Sequence, residues 1–589
     1  MDWTWDLSYL YKSFEDEAFL ADLAKVPGKV EALNALLSAD MDELTRLEKL
    51  VDGQEELDAL LERLFLFTEL TLSVDAGNAV AAQYDDKLNV MMTSVQLFGS
   101  AFSRYVGSLN NLEELIASSE KLQSVAFALR EDARAAAHTI PEAIEPWILQ
   151  MQLSGGSAFS QLRDRLDSTH TVEFRGETLP LSAIRGKAYD PDPDVRREAY
   201  ETEIAGYRKI ELPMSYCLNS IKMEARTLAK AKGYDSVLDM TLQECRMDRQ
   251  TLEAMWTAIG EYLPHFRRYM RAKAEYLGHH DGLPFYDLFA PVGENTRTFT
   301  VEEARQKLID ELGKFTPKMA EFIDNAFEQR WIDMFPRAGK SGGAFCAGAH
   351  AFDRSLVMTN FQGSFSDVST IAHELGHAWH NRCMAGLPSM MTHAPMPLAE
   401  TASIFNETML AHQVLKTATP GEKFTLLESS LMEITQTAVD IYSRYLFETE
   451  VIDTRADHAM TVDELKDAML RAQDATYGDG LDKNVRHPYM WACKSHYYSS
   501  GLNFYNFPYA FGDLFGKGVF AQWLEKGDAF VEDYCKLLRS CGSASIADVA
   551  ASVGIDVRSV DFWRSSLEVV RKDIDEFCAL CASQQAERK

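Results

Sequence analysis

No uninterrupted apolar run in the sequence approaches the roughly 20 residues that a bilayer span requires, so a membrane-spanning protein is not expected. Positive charge is also short. Against 89 Asp and Glu there are 59 Lys and Arg, a formal net charge of −30. A surface of that sign repels phosphate backbones and anionic headgroups, which excludes nucleic acid and membranes as expected partners. Cysteine is sparse: nine in 589 residues, odd in number and scattered, the pattern of reduced thiols rather than of a disulfide framework. The opening Met1-Asp2-Trp3-Thr4-Trp5-Asp6 has no basic leader and is soon followed by Glu15, Asp16 and Glu17. A secretory signal is therefore not expected, and the expected compartment is the cytoplasm. Fixed-period repeats and low-complexity stretches are lacking too. What remains, 46% apolar and 25% charged residues, is the composition of a globular protein, at a length that calls for more than one ordinary core.

The most informative residues are His373-Glu374-Leu375-Gly376-His377. On a helix, positions i and i+4 lie on one face about one turn apart, so both imidazoles can grip one metal ion while Glu374 reaches a water beside it. This is the spacing of a zinc hydrolase that uses a carboxylate as general base. Ser366-Asp367 reads as the helix N-cap, Val368, Ile371, Ala372, Leu375 and Trp379 follow at helical spacing, and Gly386 and Pro388 stop the run. Two histidines need a third protein ligand. A third His six residues after the second does not occur, since His380 falls a turn early and Cys383 stands in its place. The alternative is a Glu from a following helix, and the run from Pro397 to about Val414 supplies Glu400, with Glu407 on the same face seven residues later. Glu400 is read as the metal ligand and Glu407 as an acceptor orienting a His N–H. His380 is read as a core or supporting histidine.

Along the chain, residues 14 to 135 carry successive helical patterns. Leu44, Leu47, Leu50, Leu57, Leu60, Leu61, Leu64 and Phe65 recur at three and four, with turns expected at Pro27-Gly28, Asp52-Gly53 and Asp75-Ala76-Gly77. Residues 136–190 form a linking region with a turn at Gly155-Gly156-Ser157 and a short hairpin over 171–179. Helices resume at Pro191-Asp192-Pro193, a loop runs from Gly278 to Arg297 with His279-His280 solvated, and 341–363 reads as a small sheet near the active site. Cys346 there is expected to be a buried small hydrophobe. Cys578-Ala579-Leu580-Cys581 lacks the second pair that a zinc site would need. The fold class is mainly α, a large multi-helix protein, in three regions: 1–135, 136–190 and 191–589. An exposed strand edge in 341–363 would pair with an extended peptide.

His373-Glu374-Leu375-Gly376-His377-Ala378-Trp379-His380, followed by Glu400-Thr401-Ala402-Ser403-Ile404-Phe405-Asn406-Glu407, resembles the oligoendopeptidase F and thimet oligopeptidase family of zinc metallopeptidases. The likeness takes in Lys340-Ser341-Gly342-Gly343-Ala344-Phe345, then Val357 to Gly363, and His496 with the tyrosines after it, and covers roughly 200–590 in motif order. It implies a metallopeptidase with one Zn²⁺ per chain, residues 191–589 as its catalytic domain, and a deep substrate channel between two mainly helical halves that admits unfolded oligopeptides. It further implies a glycine-rich loop at Gly342 and Gly343 and a strand edge in Val357–Gly363 beside the substrate. His496 and Tyr505 would act on substrate and oxyanion, with Tyr509, and more weakly Tyr498, beside them.

Rival readings remain open at this level. They are a carboxypeptidase or dipeptidyl carboxypeptidase on a similar scaffold, and a zinc-retaining peptide-binding protein without catalysis, against which Glu374 speaks. A di-iron carboxylate site would need a second ExxH, and Glu261 and Glu275 stand four rather than three residues before a His. Cleavage preference, oligomeric state and a Co²⁺ or Mn²⁺ substitution are not legible.

Overall fold

Asp16 and Asp42 start two long helices, α1 (Glu17–Leu37) and α2 (Glu43–Val74), each accepting a backbone N–H with its side chain. Neither helix stops where turns were expected. α1 runs through Pro27 because the stripe Phe19, Leu23, Val26, Val30 and Leu33 is buried on both sides of it. Each such side chain contributes about 1.5–3 kcal/mol, which together outweighs the roughly 3 kcal/mol cost of an internal proline. α2 runs through Gly53 because that glycine serves packing, not turning: a Cβ there would meet Leu33 Cδ2 at 2.6 Å. Only the third expected turn interrupts the chain, between α2 and α3 (Ala79–Ser108).

The structure, a computed structural model, describes residues 3–141, 143–293, 298–499 and 501–588. Met1, Asp2, Ser500 and the last four positions of the expected 278–297 loop lie outside the described residues. The chain divides into two compact units, each gathered from three stretches: Met1–Thr139, Arg297–Val414 and Gln522–Gly554 in the first, Ile140–Thr296, Leu415–Ala521 and Ile555–Lys589 in the second. The architecture is mainly α, with two small sheets.

The first unit carries the expected sheet of 341–363. It has three strands in the order β3-β5-β4, where β3 is Ile332–Asp333, β4 is Phe345–Ala349 and β5 is Arg354–Met358. β5 pairs antiparallel with β4 and parallel with β3. β4 is therefore an edge strand, as is the two-residue β3, and Val357, expected on a strand edge, lies in the central strand. A continuous core joins α1–α3 to Ala349, Leu356 and Met358 of this sheet and to Met391.

In the second unit the hairpin pairs β1 (Thr171–Phe174) with β2 (Glu177–Pro180) through Arg175-Gly176, both at positive φ (50° and 86°), the backbone that a tight two-residue loop demands. Helices fill most of the preceding stretch, Glu145–Ser154 and Gly156–Thr169 meeting at Gly155. Asp192 caps the 39-residue helix Pro193–Ala231. His279 is not simply solvated: its Nε2 lies 2.7 Å from Asp287 Oδ2, and Asp287 also accepts from Arg196 Nε at 2.7 Å. Among the described residues no helix is long and apolar enough to cross a membrane.

Candidate active site

The helix carrying the His-Glu-x-x-His spacing runs Phe365–Cys383. It starts two residues earlier than Ser366-Asp367 suggested, because Ser364 and Asp367 form a reciprocal box: Ser364 Oγ accepts the Asp367 N–H at 3.1 Å, and Asp367 Oδ2 accepts the Ser364 N–H at 2.9 Å. Val368, Ile371, Ala372, Leu375 and Ala378 are buried. Gly376 lets the following chain cross closely, since a Cβ there would lie 2.5 Å from Ala402 O and 2.6 Å from Ser403 Cα. That crossing delivers Glu400. The expected continuous helix is broken at this residue, between Met396–Ala399 and Thr401–Leu415. The Thr401 hydroxyl donates to Leu398 O at 2.8 Å, and Ser403 Oγ donates to Glu400 Oε2 at 2.8 Å.

His373, His377 and Glu400 converge. Their Nε2 atoms lie 3.2 Å apart, and each is 3.4 Å from Glu400 Oε2. Donors on a tetrahedral ion with bonds of about 2.0–2.1 Å are separated by roughly 3.3 Å, so this N,N,O triangle has the size of a zinc coordination face. Among the described residues it is the one cluster of three or more His, Cys, Asp or Glu with that convergence. Glu407 Oε1 approaches the outer nitrogen, Nδ1, of His373 at 3.5 Å. Burial disfavours the charged imidazole of His373, but the Glu400 and Glu407 carboxylates raise its pKa to about 10. Burial likewise opposes ionisation of Glu400, and the two imidazoles nonetheless hold its carboxyl well below the usual range. Once the imidazoles are deprotonated, the two ring nitrogens and the Glu400 carboxylate turn lone pairs on a common centre that suits a cation.

Glu374 is buried, 5% exposed, and burial pushes its pKa up against the opposing pull of His373 and His377. It lines a cavity of about 460 Å³ together with the three converging residues, Phe345 and Cys346 of β4, and His350. Cys346 is half-buried, its thiol pushed up by burial and by Glu374. His380 is buried in the wall of the cavity, where Nε2 meets Leu538 O at 3.1 Å and burial lowers its pKa to about 4. Gly342 and Gly343 form an exposed turn ahead of β4, Gly343 at φ 79° with its carbonyl bonded by Asn360 Nδ2 at 2.9 Å. The structure does not bring them into the cavity lining.

The remaining candidates belong to the second unit. His496 sits on a short 3-10 turn (Ser495–Tyr498), half-buried, with no partner for Nε2. Burial, then the charges of Arg444, Lys494 and Lys222, lower its pKa to about 2. Its ring centroid is 6.1 Å from that of Tyr505, whose hydroxyl lies 2.7 Å from the Tyr509 hydroxyl. Tyr498 instead packs wholly inside, under Arg163. Sequence reasoning missed Arg444 here; Lys494 opens the segment it singled out, and His350 of the first unit could line the cleft by sequence but nothing there fixes it. The Asp440–Arg444 pair is local, four residues apart, but what brings it to His496, and what brings Glu62 to the His350 N–H, is distant in the chain.

A buried carboxylate beside two convergent imidazoles and a second carboxylate, in a cavity lined by an edge strand, defines a metal-dependent hydrolase. Comparison with known proteins places it more closely. Residues 187–569 match the model of peptidase family M3, and the chain belongs to that family: it is a metallopeptidase. It is 22% identical over 603 residues to an oligoendopeptidase F homolog of Lactococcus lactis subsp. lactis, covering 97% of this chain and 96% of that one. To oligopeptidase PepF of Bacillus subtilis it is 22% identical, covering 97% and 86%. Similar folds include a solved structure from Chlamydophila abortus (TM-score 0.87, 22% identity, 98% of each chain) and oligoendopeptidase-F from Enterococcus faecium (TM-score 0.70, 17% identity, 97% and 99%).

Proposed function

We propose that the protein is a zinc endopeptidase that hydrolyses internal bonds of short unfolded peptides, with residues 191–589 as its catalytic domain. The observation that carries this reading is the convergence of His373, His377 and Glu400 beside a buried Glu374 in one cavity. The three would hold the ion, and their two-nitrogen, one-oxygen donor set fits zinc. Zinc held there would supply Lewis-acid polarisation of a carbonyl and acidify a water. Glu374 takes the proton of the attacking water on its carboxylate and passes it to the leaving amine. Glu407 steadies the His373 ring through Nδ1.

The free edge of β4 offers backbone groups to an extended peptide, so side-chain sequence matters less than an unfolded main chain. The exposed Gly342-Gly343 turn leads into that edge and leaves room for a bound chain. His496 and Tyr505 are proposed as donors to the substrate carbonyl as negative charge develops on it, and Tyr509 as a substrate contact that holds the Tyr505 hydroxyl. An orphaned ring nitrogen on His496 supports this. The acidic balance of the chain favours peptides over nucleic acid or lipid as partners. Nine cysteines, none in a disulfide, support a cytoplasmic setting.

The test is hydrolysis of a quenched-fluorescent, end-blocked peptide library by the zinc-loaded protein and by Glu374→Gln at equal metal content. Internal cleavage that falls by about 10²–10⁴ in the variant supports the reading. Equal rates in the two proteins would refute Glu374 as base. Cleavage confined to peptides with free ends would refute endopeptidase action.

A further inference from the structure

Tyr505 stands on a segment without helix or strand, residues 501–506, just ahead of the helix Phe507–Lys526. Asn503, Phe504, Asn506, Phe507 and Pro508 are buried, whereas Tyr505 and Tyr509 are only half-buried. The segment therefore hides the residues beside and between the two tyrosines and presents their rings. Its backbone has no regular ladder, so other groups must hold it.

One helix face supplies most of these groups. Asp440 closes the π-helical turn Gln436–Asp440 that leads into the helix Ile441–Thr454. Arg444 and Glu448 follow it at i+4 and i+8, on the same side. Glu448 Oε1 accepts the Phe504 N–H at 3.1 Å, and Arg444 Nη1 donates to Asn506 Oδ1 at 2.9 Å. Both neighbours of Tyr505 are thus gripped from one face. Arg444 is itself fixed: its Nη2 donates to Asp440 Oδ2, and Asp440 Oδ1 accepts the Tyr477 hydroxyl at 3.0 Å. On the preceding side Lys222 Nζ donates to Asn503 Oδ1 at 3.1 Å. Within these holds Phe504 takes φ 52°, left-handed backbone that a bulky residue seldom adopts. Such a conformation persists only where its surroundings impose it.

The grip on Asn506 uses the residue as an acceptor alone. Its Oδ1 receives the Arg444 proton, and its Nδ2 finds no partner among the described residues. This bond can be removed at Asn506 while the Asp440–Arg444 pair stays whole.

Resting on the reading of Tyr505 as a donor to the substrate carbonyl, we propose that Arg444, acting through Asn506, is a positioning residue that aims the Tyr505 hydroxyl. Loss of the bond leaves that hydroxyl present but misplaced. A misplacement of about 1 Å costs roughly 10²-fold in rate. The loss falls on kcat, because the donor matters most when charge develops on the carbonyl.

The experiment measures kcat, KM and bound metal with an end-blocked fluorogenic peptide. The proteins are the native chain, Tyr505→Phe, Asn506→Ala, Asn506→Asp, Arg444→Lys and the double variant Tyr505→Phe/Asn506→Ala. Arg471→Gln, whose side chain pairs with Glu450 at the surface, is the control and should match the native chain. Tyr505→Phe should lower kcat about 10²-fold. Asn506→Ala and Arg444→Lys should lower it about 10–100-fold with KM and metal near native. Lysine keeps a charge beside Asp440 but lacks the fork that reaches both partners. Asn506→Asp should regain most of the loss, since a carboxylate still accepts from Nη1. The double variant should be no slower than Tyr505→Phe.

Native kcat in Asn506→Ala or in Arg444→Lys overturns the proposal, and Asn506→Ala decides alone if Arg444→Lys does not fold. Losses that multiply in the double variant overturn it too, as does an Asn506→Asp chain as slow as Asn506→Ala. Native rates in Tyr505→Phe overturn the role given to that hydroxyl, and this proposal falls with it. A native chain that cleaves nothing overturns the peptidase reading itself, and both with it.

Discussion

Two polar clusters, one enclosed and one half-buried, one in each compact unit, treat their charges in opposite ways. In the second unit Lys222 Nζ lies 2.6 Å from Glu448 Oε1 and 3.1 Å from Asn503 Oδ1, and Glu448 also accepts the Phe504 N–H at 3.1 Å. Both side chains are almost wholly enclosed, and the charges close on one another. In the first unit His373, His377 and Glu400 converge at 3.2–3.4 Å and leave their shared side facing a 460 Å³ cavity. The closed pair costs desolvation and is retained by its mutual fit; the open triangle keeps its donors available. Enclosure and completeness of partnering together separate the structural cluster, 0–3% exposed, from the functional one, 23–28% exposed.

The sharpest break in that comparison is Glu448→Ala. It leaves the Lys222 ammonium enclosed without its carboxylate, and denaturant unfolding should show a loss of about 3–5 kcal/mol. His377→Ala removes a member of the open cluster. Its expected result is the reverse pattern, a metal-free and inactive protein with unfolding within about 1 kcal/mol of the metal-free native chain. Similar destabilisation by the two substitutions would erase the distinction.

A smaller effect is expected from Glu407→Gln, which keeps the shape but weakens the acceptor at His373 Nδ1. Metal affinity should fall about 10–100-fold with the three ligands intact, read by competition with a chelator. An unchanged affinity would detach Glu407 from the site.

Asp573 lies between the two extremes. Burial raises its pKa to about 6, and the charge of Lys517 relieves this only in part. A carboxyl that binds its proton more tightly when folded contributes stability at low pH. That contribution is lost as pH rises from about 4 through 6. Asp573→Asn should therefore stabilise by about 1–2 kcal/mol at pH 7.5 and by little at pH 4. A gain of equal size at both pH values would contradict this.

What the sequence displayed follows the range of the interactions. The motif helix was legible because its ligands, stripe and stops repeat within twenty residues, and Glu400 with Glu407 because they stand seven apart in one helical pattern, although the helix breaks at Glu400 itself. Gly53 misled because a glycine that admits Leu33 looks the same in a sequence as one that turns the chain. The bounds of the motif helix were off because Asp367 serves as the third residue of a box begun by Ser364. A free edge was assigned to the segment of β5 rather than β4, since strand order depends on β3 joining from residues 332–333. His350 and Glu62 stand 288 positions apart, and no local pattern couples them. The short 3-10 turn at His496 has no period to announce it, so only the family likeness pointed there.

The central claim is that the open triangle is a metal site of one ion. Its most direct test is metal analysis, with zinc titration of the chelator-stripped chain, on the native protein and on Glu400→Gln. The account predicts one zinc per native chain, its loss or severe weakening in Glu400→Gln, and the same far-ultraviolet circular dichroism for both. Stoichiometric, equally tight zinc in Glu400→Gln would contradict it, because the ion would then be held somewhere other than between His373, His377 and Glu400.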